Sequence, residues 1–232
     1  MAKANGVHHF AICTGNMKAQ IEYFTDVLGM ELVALYWMHG AERTWHGFLK
    51  LNDQSSIAFV QNDAIAQIPV EVGITHAGNP GAPCAPGTLQ HIAFNVDTQA
   101  ELLAMRDRIR SRGVDVFGHV DHGFCKSIYF AGPEGLCLEV ATSEGQSIDS
   151  ALWIDPEVVE LAGISGDELR LFKSPAKYEP PARPVAQPDP NPNKPHMVFP
   201  PEVYQAIFTA SDDEITARMS ETTPPGRAAV PA

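Results

Sequence analysis

The chain lacks the features that would point to a membrane, a nucleic acid or a disulfide framework. No run of about 18 consecutive apolar residues occurs among its 232 residues, and the first ten residues (MAKANGVHHF) lack the long apolar segment of a secretory signal. The 16 lysines and arginines are outnumbered by 28 acidic residues and form no basic stripe. The four cysteines show no CxxC spacing. We therefore expect a cytoplasmic globular protein that binds neither membranes nor nucleic acids.

What the sequence does contain is an internal repeat, which decides the architecture before any motif is interpreted. The segment Gly6–Ile12 (GVHHFAI) returns as Thr88–Phe94 (TLQHIAF), so that His91 follows His9 by 82 residues. Each copy places a histidine directly before a short apolar strand. Each then continues with an amphipathic helix and three further segments of β character. This pattern predicts two βαβββ modules.

Local signals give the bounds of these modules. They span residues 5–62 and 87–143, and the stretch 63–86 between them has the Gly and Pro content of a linker. The predicted fold class is α+β, with the two modules forming one barrel-like mixed sheet around a metal site. The predicted helix caps are Asn16 in the first copy and Asp97 or Thr98 in the second.

Residues 144–232 form a Pro-rich C-terminal extension, which from Gly145 onward holds 14 of the 19 prolines and no third copy of the repeat. Short helices are predicted at Pro156–Ala162, at Asp167–Phe172 and from Pro201 to about Met219 with a break near Ser211. Scattered apolar residues suggest that this extension wraps around its own modules, a second subunit, or both. We expect a homodimer.

His9, His91 and Glu139 are the candidate metal ligands. Because the two histidines occupy equivalent positions, pairing of the first strands would bring their imidazoles together at the centre of the sheet. Strand alternation points the Glu139 carboxylate to the same inner face, and a buried carboxylate needs a partner. Two imidazoles and one carboxylate are typical of non-haem Fe(II) oxygenases. A lone histidine is more often a satisfied core residue, but its repetition at equivalent positions favours the metal.

Four short motifs follow one another in a characteristic order: His8-His-Phe-Ala-Ile12, Tyr23-Phe-x-x-Val-Leu-Gly-Met30, Gln90-His-Ile-Ala-Phe94 and Pro133-x-Gly-x-x-Leu-Glu139. Over about residues 6–143 they resemble the vicinal oxygen chelate superfamily. That superfamily includes glyoxalases, fosfomycin-resistance transferases, epimerases and type I extradiol ring-cleaving dioxygenases, and the chain is most similar to the dioxygenases. One such scaffold hosts several chemistries.

The number of ligands discriminates among these chemistries. Glyoxalase I and related epimerases usually place a fourth ligand on the last strand of the first module. Here that strand, Ser56–Gln61 (SIAFVQ), has no carboxylate or imidazole at the expected place. The resemblance therefore implies a three-ligand site, which suits the extradiol dioxygenases and also the fosfomycin-type transferases.

Four more residues are candidates for catalysis. Tyr129 and His122 resemble the tyrosine and histidine with which the dioxygenase branch orients its substrate, although an ordinary strand aromatic and a turn residue are the alternatives. Where that branch has an acid/base histidine, this chain has Lys50, which a solvated strand position also explains. His46 lies on the same strand face as Lys50 and is the other candidate base.

The sequence thus predicts a metal-dependent ring-cleaving dioxygenase that acts on a catechol-like small molecule with O2. Fe(II) is the expected metal, with Mn(II), Zn(II) or Ni(II) as alternatives. A glyoxalase-like lyase, isomerase or thiol transferase is the alternative enzyme. A non-catalytic ligand-binding protein of the same fold is the third alternative.

Overall fold

The computed structural model describes residues 3–191 and 193–226, and it contains the two predicted modules. The first module consists of β1 (His9–Cys13), α1 (Met17–Asp26), β2 (Glu31–Trp37), β3 (Trp45–Asn52) and β4 (Ser55–Gln61). The second consists of β5 (Ile92–Asn95), α2 (Gln99–Ser111), β6 (Phe117–Asp121), β7 (Lys126–Ala131) and β8 (Cys137–Thr142).

Both module helices begin where the sequence places a cap. The Asn16 side chain accepts a hydrogen bond from the amide of Ala19, and Thr98, rather than Asp97, caps α2 in a reciprocal capping box with Glu101. The apolar residues directly after α2 do not belong to the next strand, which lies at Phe117–Asp121. Valines 114 and 116 instead pack against the hydrophobic core on the way to that strand.

The strands form two separate four-stranded sheets rather than one barrel-like sheet, so that part of the predicted fold is wrong. Their orders are β1-β4-β3-β2 and β5-β8-β7-β6. Each first strand pairs in parallel with the last strand of its own module. The two first strands, β1 and β5, were expected to pair with each other and so join the modules, but they belong to different sheets. The α+β class and the βαβββ order of both modules are confirmed.

The two modules pack through their helices and the sheet faces behind them. One hydrophobic core takes residues from both modules, and the buried ring of Phe24 on α1 contacts Phe59 of its own module and Phe94 of the other, with ring centroids 5.1 and 6.4 Å apart. Arg108 on α2 donates to the carbonyl oxygens of Asp26 and Val27 at the end of α1. The C-terminal end of α1 therefore lies next to α2, and the opposite face of each sheet is left uncovered by the core.

Glu134, on the connection between β7 and β8 of the second module, forms hydrogen bonds with residues of the first module. Glu134 accepts hydrogen bonds from the Thr14 hydroxyl (2.6 Å), the Gly15 amide (2.8 Å) and the Gln20 amide side chain (2.8 Å). Burial alone would raise the pKa of Glu134, but these hydrogen bonds hold it below its usual range. Its φ of 55° is in the left-handed region, which shows that the surrounding structure fixes this residue in place.

The C-terminal extension contains α3 (Pro156–Leu161), α4 (Gly166–Lys173), α5 (Pro201–Thr209) and α6 (Asp212–Met219). The predicted break near Ser211 is confirmed, because Ser211 caps α6. None of the helices that the structure describes is long and apolar enough to cross a membrane. The extension touches the modules at Trp153, which packs on the β6–β7 turn, and at Met219, which lies against Gly40.

Candidate metal centre

Strand alternation separates the candidate site residues from the core. In β3, Leu49 is fully buried against the core, whereas its neighbours Phe48 and Lys50 point to the opposite face of the sheet. In β8, Leu138 belongs to the core and Glu139 points away from it. The candidate residues of both modules therefore lie on the sheet faces that the shared core leaves uncovered.

The second sheet brings together two of the predicted metal ligands. The Nε2 atom of His91 lies 3.0 Å from an Oε atom of Glu139, and the other ring nitrogen of His91 contacts the side chain of Gln90. Glu139 is only 5% exposed, so its carboxylate has lost most of its water. A buried carboxylate beside an imidazole is a donor set that suits a divalent transition metal, with Gln90 fixing the orientation of the ring.

Tyr129 and His122 extend this group across the sheet. Tyr129 lies directly opposite Glu139 on the neighbouring strand, and its hydroxyl is 3.0 Å from Nε2 of His122. Burial raises the pKa of Tyr129, and the Glu139 carboxylate raises it further. The phenol therefore keeps its proton near neutral pH and can donate a hydrogen bond. The structure thus places four of the seven predicted site residues in one continuous group.

The first sheet carries a second group, made of imidazoles and aromatic rings. The rings of His9 and His46 are 6.3 Å apart, and both contact Phe48, at 5.5 and 4.4 Å. His46 is 7% exposed, and its Nε2 atom has no hydrogen-bond partner among the described residues. Burial lowers the pKa of His46, and the neighbouring His9 lowers it further. The imidazole is therefore neutral near pH 7, with a ring nitrogen free to bind a ligand or a proton.

Lys50 lies at the edge of this group and has a different partner. Its ammonium nitrogen forms an ion pair with Asp53 at 2.6 Å, and both groups are exposed. The hydrogen bond and the charge of Asp53 raise the pKa of Lys50, which keeps the amine protonated. A protonated amine cannot accept a proton, so of the two candidate bases the geometry favours His46.

Sequence reasoning missed two residues of the first group, Phe48 and Tyr36. Tyr36 pairs in register with His46 on the neighbouring strand, and its ring lies parallel to that of Phe48. Since Phe48 is two residues from His46, the alternation that selects His46 also selects Phe48. The pairing partner Tyr36 depends on the register of two strands, which the sequence does not reveal.

The three predicted ligands do not meet within one chain. His9 lies with the first group, whereas His91 and Glu139 lie with the second. Over residues 3–191 and 193–226, no three His, Cys, Asp or Glu side chains are close enough together to hold a metal ion. The physical reason is the missing pairing between β1 and β5, which was expected to bring the two histidines together.

Comparison with known proteins gives the family. The profile of the Glyoxalase/Bleomycin resistance protein/Dioxygenase superfamily matches residues 6–140. Two curated relatives from Rhodococcus globerulus, biphenyl-2,3-diol 1,2-dioxygenases 3 and 2, are each 24% identical to this chain, over 132 and 143 residues. These alignments cover 57% and 62% of this chain but only 60% and 65% of the relatives, so less than two thirds of their length is represented here.

Solved structures with a similar chain include a glyoxylase/bleomycin resistance protein/dioxygenase domain from Frankia sp. EAN1pec. It is 15% identical, with a TM-score of 0.49, over 61% of this chain and 99% of that one. A glyoxalase/bleomycin resistance protein/dioxygenase from Nocardioides is 16% identical, with a TM-score of 0.45, over 65% of this chain and 91% of that one. As the profile match extends over more than half of its length, the chain belongs to the glyoxalase/bleomycin resistance protein/dioxygenase superfamily.

Proposed function

We propose that this protein is a metal-dependent, extradiol-type dioxygenase that opens the ring of a catechol-like small molecule with O2. The observation that carries the proposal is the group formed by His91, Glu139, Tyr129 and His122. It combines a buried carboxylate–imidazole pair with a protonated phenol and a second imidazole, all on one sheet face. The 24% identity to two biphenyl-diol dioxygenases agrees with this proposal.

The residues present fit a divalent metal in part. His91 and Glu139 would hold it, because among the described residues the buried carboxylate has one nearby imidazole and no Lys or Arg within ion-pair distance, and a metal would supply the missing partner. Fe(II) is the metal we propose, and when bound it would supply a Lewis-acidic centre with open positions for substrate oxygens and O2. The third proposed ligand, His9, is not part of this group within one chain.

A homodimer accounts for the separated ligand. The face with His9 and the face with His91 and Glu139 are both uncovered by the core of their own chain, so a second copy can place its first sheet opposite the second sheet of this one. The ring of Phe117, which pairs with Tyr129 on the second sheet face and is 65% exposed, is a surface that such a contact would bury. We propose that the His9 of a second copy completes the ligand set.

The remaining residues of both faces would then act on the substrate. The Tyr129 hydroxyl, held by His122, would donate a hydrogen bond to one of two neighbouring substrate oxygens and fix its orientation. The imidazole of His46, whose pKa burial lowers, would accept the proton of a substrate hydroxyl. Phe48 and Tyr36 would offer ring surface against which a flat substrate can stack.

A glyoxalase-like lyase, isomerase or transferase is the alternative that this fold also allows. One observation disfavours the four-ligand members of that group. Ala58 is the residue that pairs with Ala11 in the first module, as Glu139 pairs with Ala93 in the second, so the first module has a methyl group where a fourth ligand would be. The proposal therefore remains the three-ligand oxygenase.

The first experiment is anaerobic purification with metal analysis, followed by measurement of O2 uptake with a panel of catechols. We expect stoichiometric iron and catechol-dependent O2 uptake that is lost in Glu139→Ala and retained in Ser56→Ala, a substitution on the equivalent strand of the first module. Bound metal without O2 uptake would favour the lyase and transferase alternative. Protein that binds no metal and still binds a small aromatic ligand would support the non-catalytic alternative.

A further inference from the structure

The turn between β6 and β7 carries His122, and its own hydrogen bonds define its shape. The His122 amide donates to the carbonyl of Cys125 at 2.8 Å, and the Gly123 amide donates to the Asp121 carboxylate at 2.8 Å. These bonds fix the turn internally, and the pairing of Asp121 with Lys126 attaches it to the sheet. Contacts from outside the module add a further constraint on the position of the His122 ring relative to Tyr129.

Two residues from beyond the second module hold it. The indole of Trp153 packs edge-to-face on the ring of Phe124, with centroids 4.8 Å apart, and lies so close to Gly123 that a Cβ there would be 3.1 Å from the indole. Gln146 donates from Nε2 to the Asp121 carboxylate at 2.9 Å. The Phe124 ring in turn lies over the His122 ring, with an angle of 30° between their planes.

The connection from Trp153 to the candidate metal centre is therefore a short chain of contacts. Trp153 touches Phe124, Phe124 stacks on His122, and Nε2 of His122 bonds the hydroxyl of Tyr129. Aromatic pairs prefer defined edge-to-face or offset geometries, so these contacts favour one orientation of the turn. Trp153 itself is 45% exposed and is not part of the hydrophobic core, so it can be changed without opening a core cavity.

We propose that Trp153 is a positioning residue, which holds His122 against Tyr129 through Phe124, with Gln146 as its polar partner. Both residues lie beyond residue 140, where the match to the family profile ends. The beginning of the C-terminal extension thus serves as part of the site rather than only as a connection to the distal helices. This inference deepens the proposed function, but the geometry it describes is measurable without turnover.

The test uses the full chain, labelled with ring-15N histidine and prepared free of paramagnetic metal, so that NMR reports the hydrogen bond of each imidazole. His122→Gln identifies the His122 signal, and Tyr129→Phe shows where it moves when the hydrogen bond is lost. We expect Trp153→Ala to move the His122 signal most of the way to its Tyr129→Phe position. Trp153→Phe, which keeps an aromatic ring, should leave the signal near its wild-type position.

The proposal is overturned if the His122 signal stays at its wild-type position in Trp153→Ala although Tyr129→Phe moves it. It is also overturned if Tyr129→Phe leaves the signal unchanged, because His122 and Tyr129 are then not hydrogen-bonded. The signals of His9 and His91 serve as the folding control. If Trp153→Ala does not fold, Gln146→Ala replaces it, and a His122 shift in the same direction is expected.

Turnover provides the second measurement where the proposed activity is found. Because His122 and Tyr129 orient the substrate, Trp153→Ala should lower kcat by about tenfold and leave KM within about twofold, as expected for a misplaced orienting group. A merely structural role of Trp153 predicts less active protein with unchanged kcat per folded molecule. If no catechol is turned over at all, the NMR outcome still decides the positioning role.

Discussion

In each sheet, one row of residues in register across the four strands passes through the candidate site. The two rows occupy equivalent positions of the repeat but differ in chemistry. From strand to strand they contain Ala11, Ala58, Phe48 and Ala34 in the first module and Ala93, Glu139, Tyr129 and Phe117 in the second. The backbone pairing is the same in both. Two of the three differences, a carboxylate in place of a methyl group and a phenol in place of a phenyl ring, give the second sheet its candidate ligand and its candidate hydrogen-bond donor.

The same differences give the first sheet a different chemistry. With alanine at position 58, the region around His9 contains imidazoles and aromatic rings, and none of these imidazoles pairs with a carboxylate among the described residues. Under the proposed function, the first sheet would supply one ligand, a proton acceptor and apolar surface, whereas the second would supply the carboxylate. The repeat would then divide one site between a charged half and an aromatic half.

The largest effect is expected from Glu139→Ala, which gives the second sheet the residue type that the first sheet has at Ala58. Glu139→Ala removes the carboxylate and leaves His91 without its partner, so metal binding should weaken by at least about 100-fold, or about 3 kcal/mol. Metal content after dialysis against a chelator measures this, with Ser56→Ala as the matched change in the first module. Retention of full metal content in Glu139→Ala would show that the metal is held elsewhere.

The second-largest effect is expected at His46, the proposed base on the first sheet. His46→Gln should lower kcat by about 100-fold, because a buried neutral imidazole is replaced by a group that cannot take a proton. Lys50→Gln is the matched control on the same strand face and should change kcat less than about twofold, since its ammonium is occupied by Asp53. The reverse order of effects would assign the proton transfer to Lys50.

The connections between the last two strands of each module give the third comparison. Glu134 bonds three donors of the first module, whereas Asp53 in the corresponding turn forms an exposed ion pair with Lys50. Glu134→Gln should lower the free energy of unfolding at pH 7 by about 2 kcal/mol, whereas Asp53→Asn should leave it nearly unchanged because water screens that ion pair. Urea denaturation followed by circular dichroism measures both values.

The contribution of Glu134 to the free energy of unfolding depends on pH. The pKa of Glu134 is lower in the folded than in the unfolded protein, so its contribution is present above the unfolded-state pKa and is lost as the pH falls through the folded-state pKa. The stability difference between wild type and Glu134→Gln should therefore shrink on acidification. A difference that grows below pH 4 would contradict the hydrogen-bonded arrangement.

The smallest effect is expected from Tyr129→Phe, which removes only the hydroxyl group of one side chain. Tyr129→Phe gives the second sheet the ring that the first has at Phe48, and it should lower kcat by about tenfold through the loss of one orienting hydrogen bond. Steady-state kinetics with the best catechol of the panel measures this. An unchanged kcat would show that His122 orients the substrate without the phenol.

Much of the fold was predictable because its signals are local. The repeat, the helix caps at Asn16 and Thr98 and the break at Ser211 depend on residues a few positions apart, and the structure confirms each of them. The side of each strand that faces the core follows from alternation alone. The class and the order of elements were therefore accessible from the sequence.

The arrangement of the two modules was not predictable in the same way. The sequence shows that His9 and His91 are equivalent, but equivalence does not say whether the two first strands pair or the two helices pack. That choice depends on the packing of large rings such as Phe24 and Phe94. It also depends on the hydrogen bonds of Glu134, which join residues over a hundred positions apart. The expected three-ligand site consequently separates into two groups in one chain.

The Phe24 ring, which contacts aromatic rings of both modules, has a consequence for the chain as an evolutionary and folding unit. Each half covers the apolar surface of the other within one shared core. Neither half can be truncated, exchanged or inherited alone without exposing that surface to water. Heating should therefore melt both repeats together in one cooperative transition.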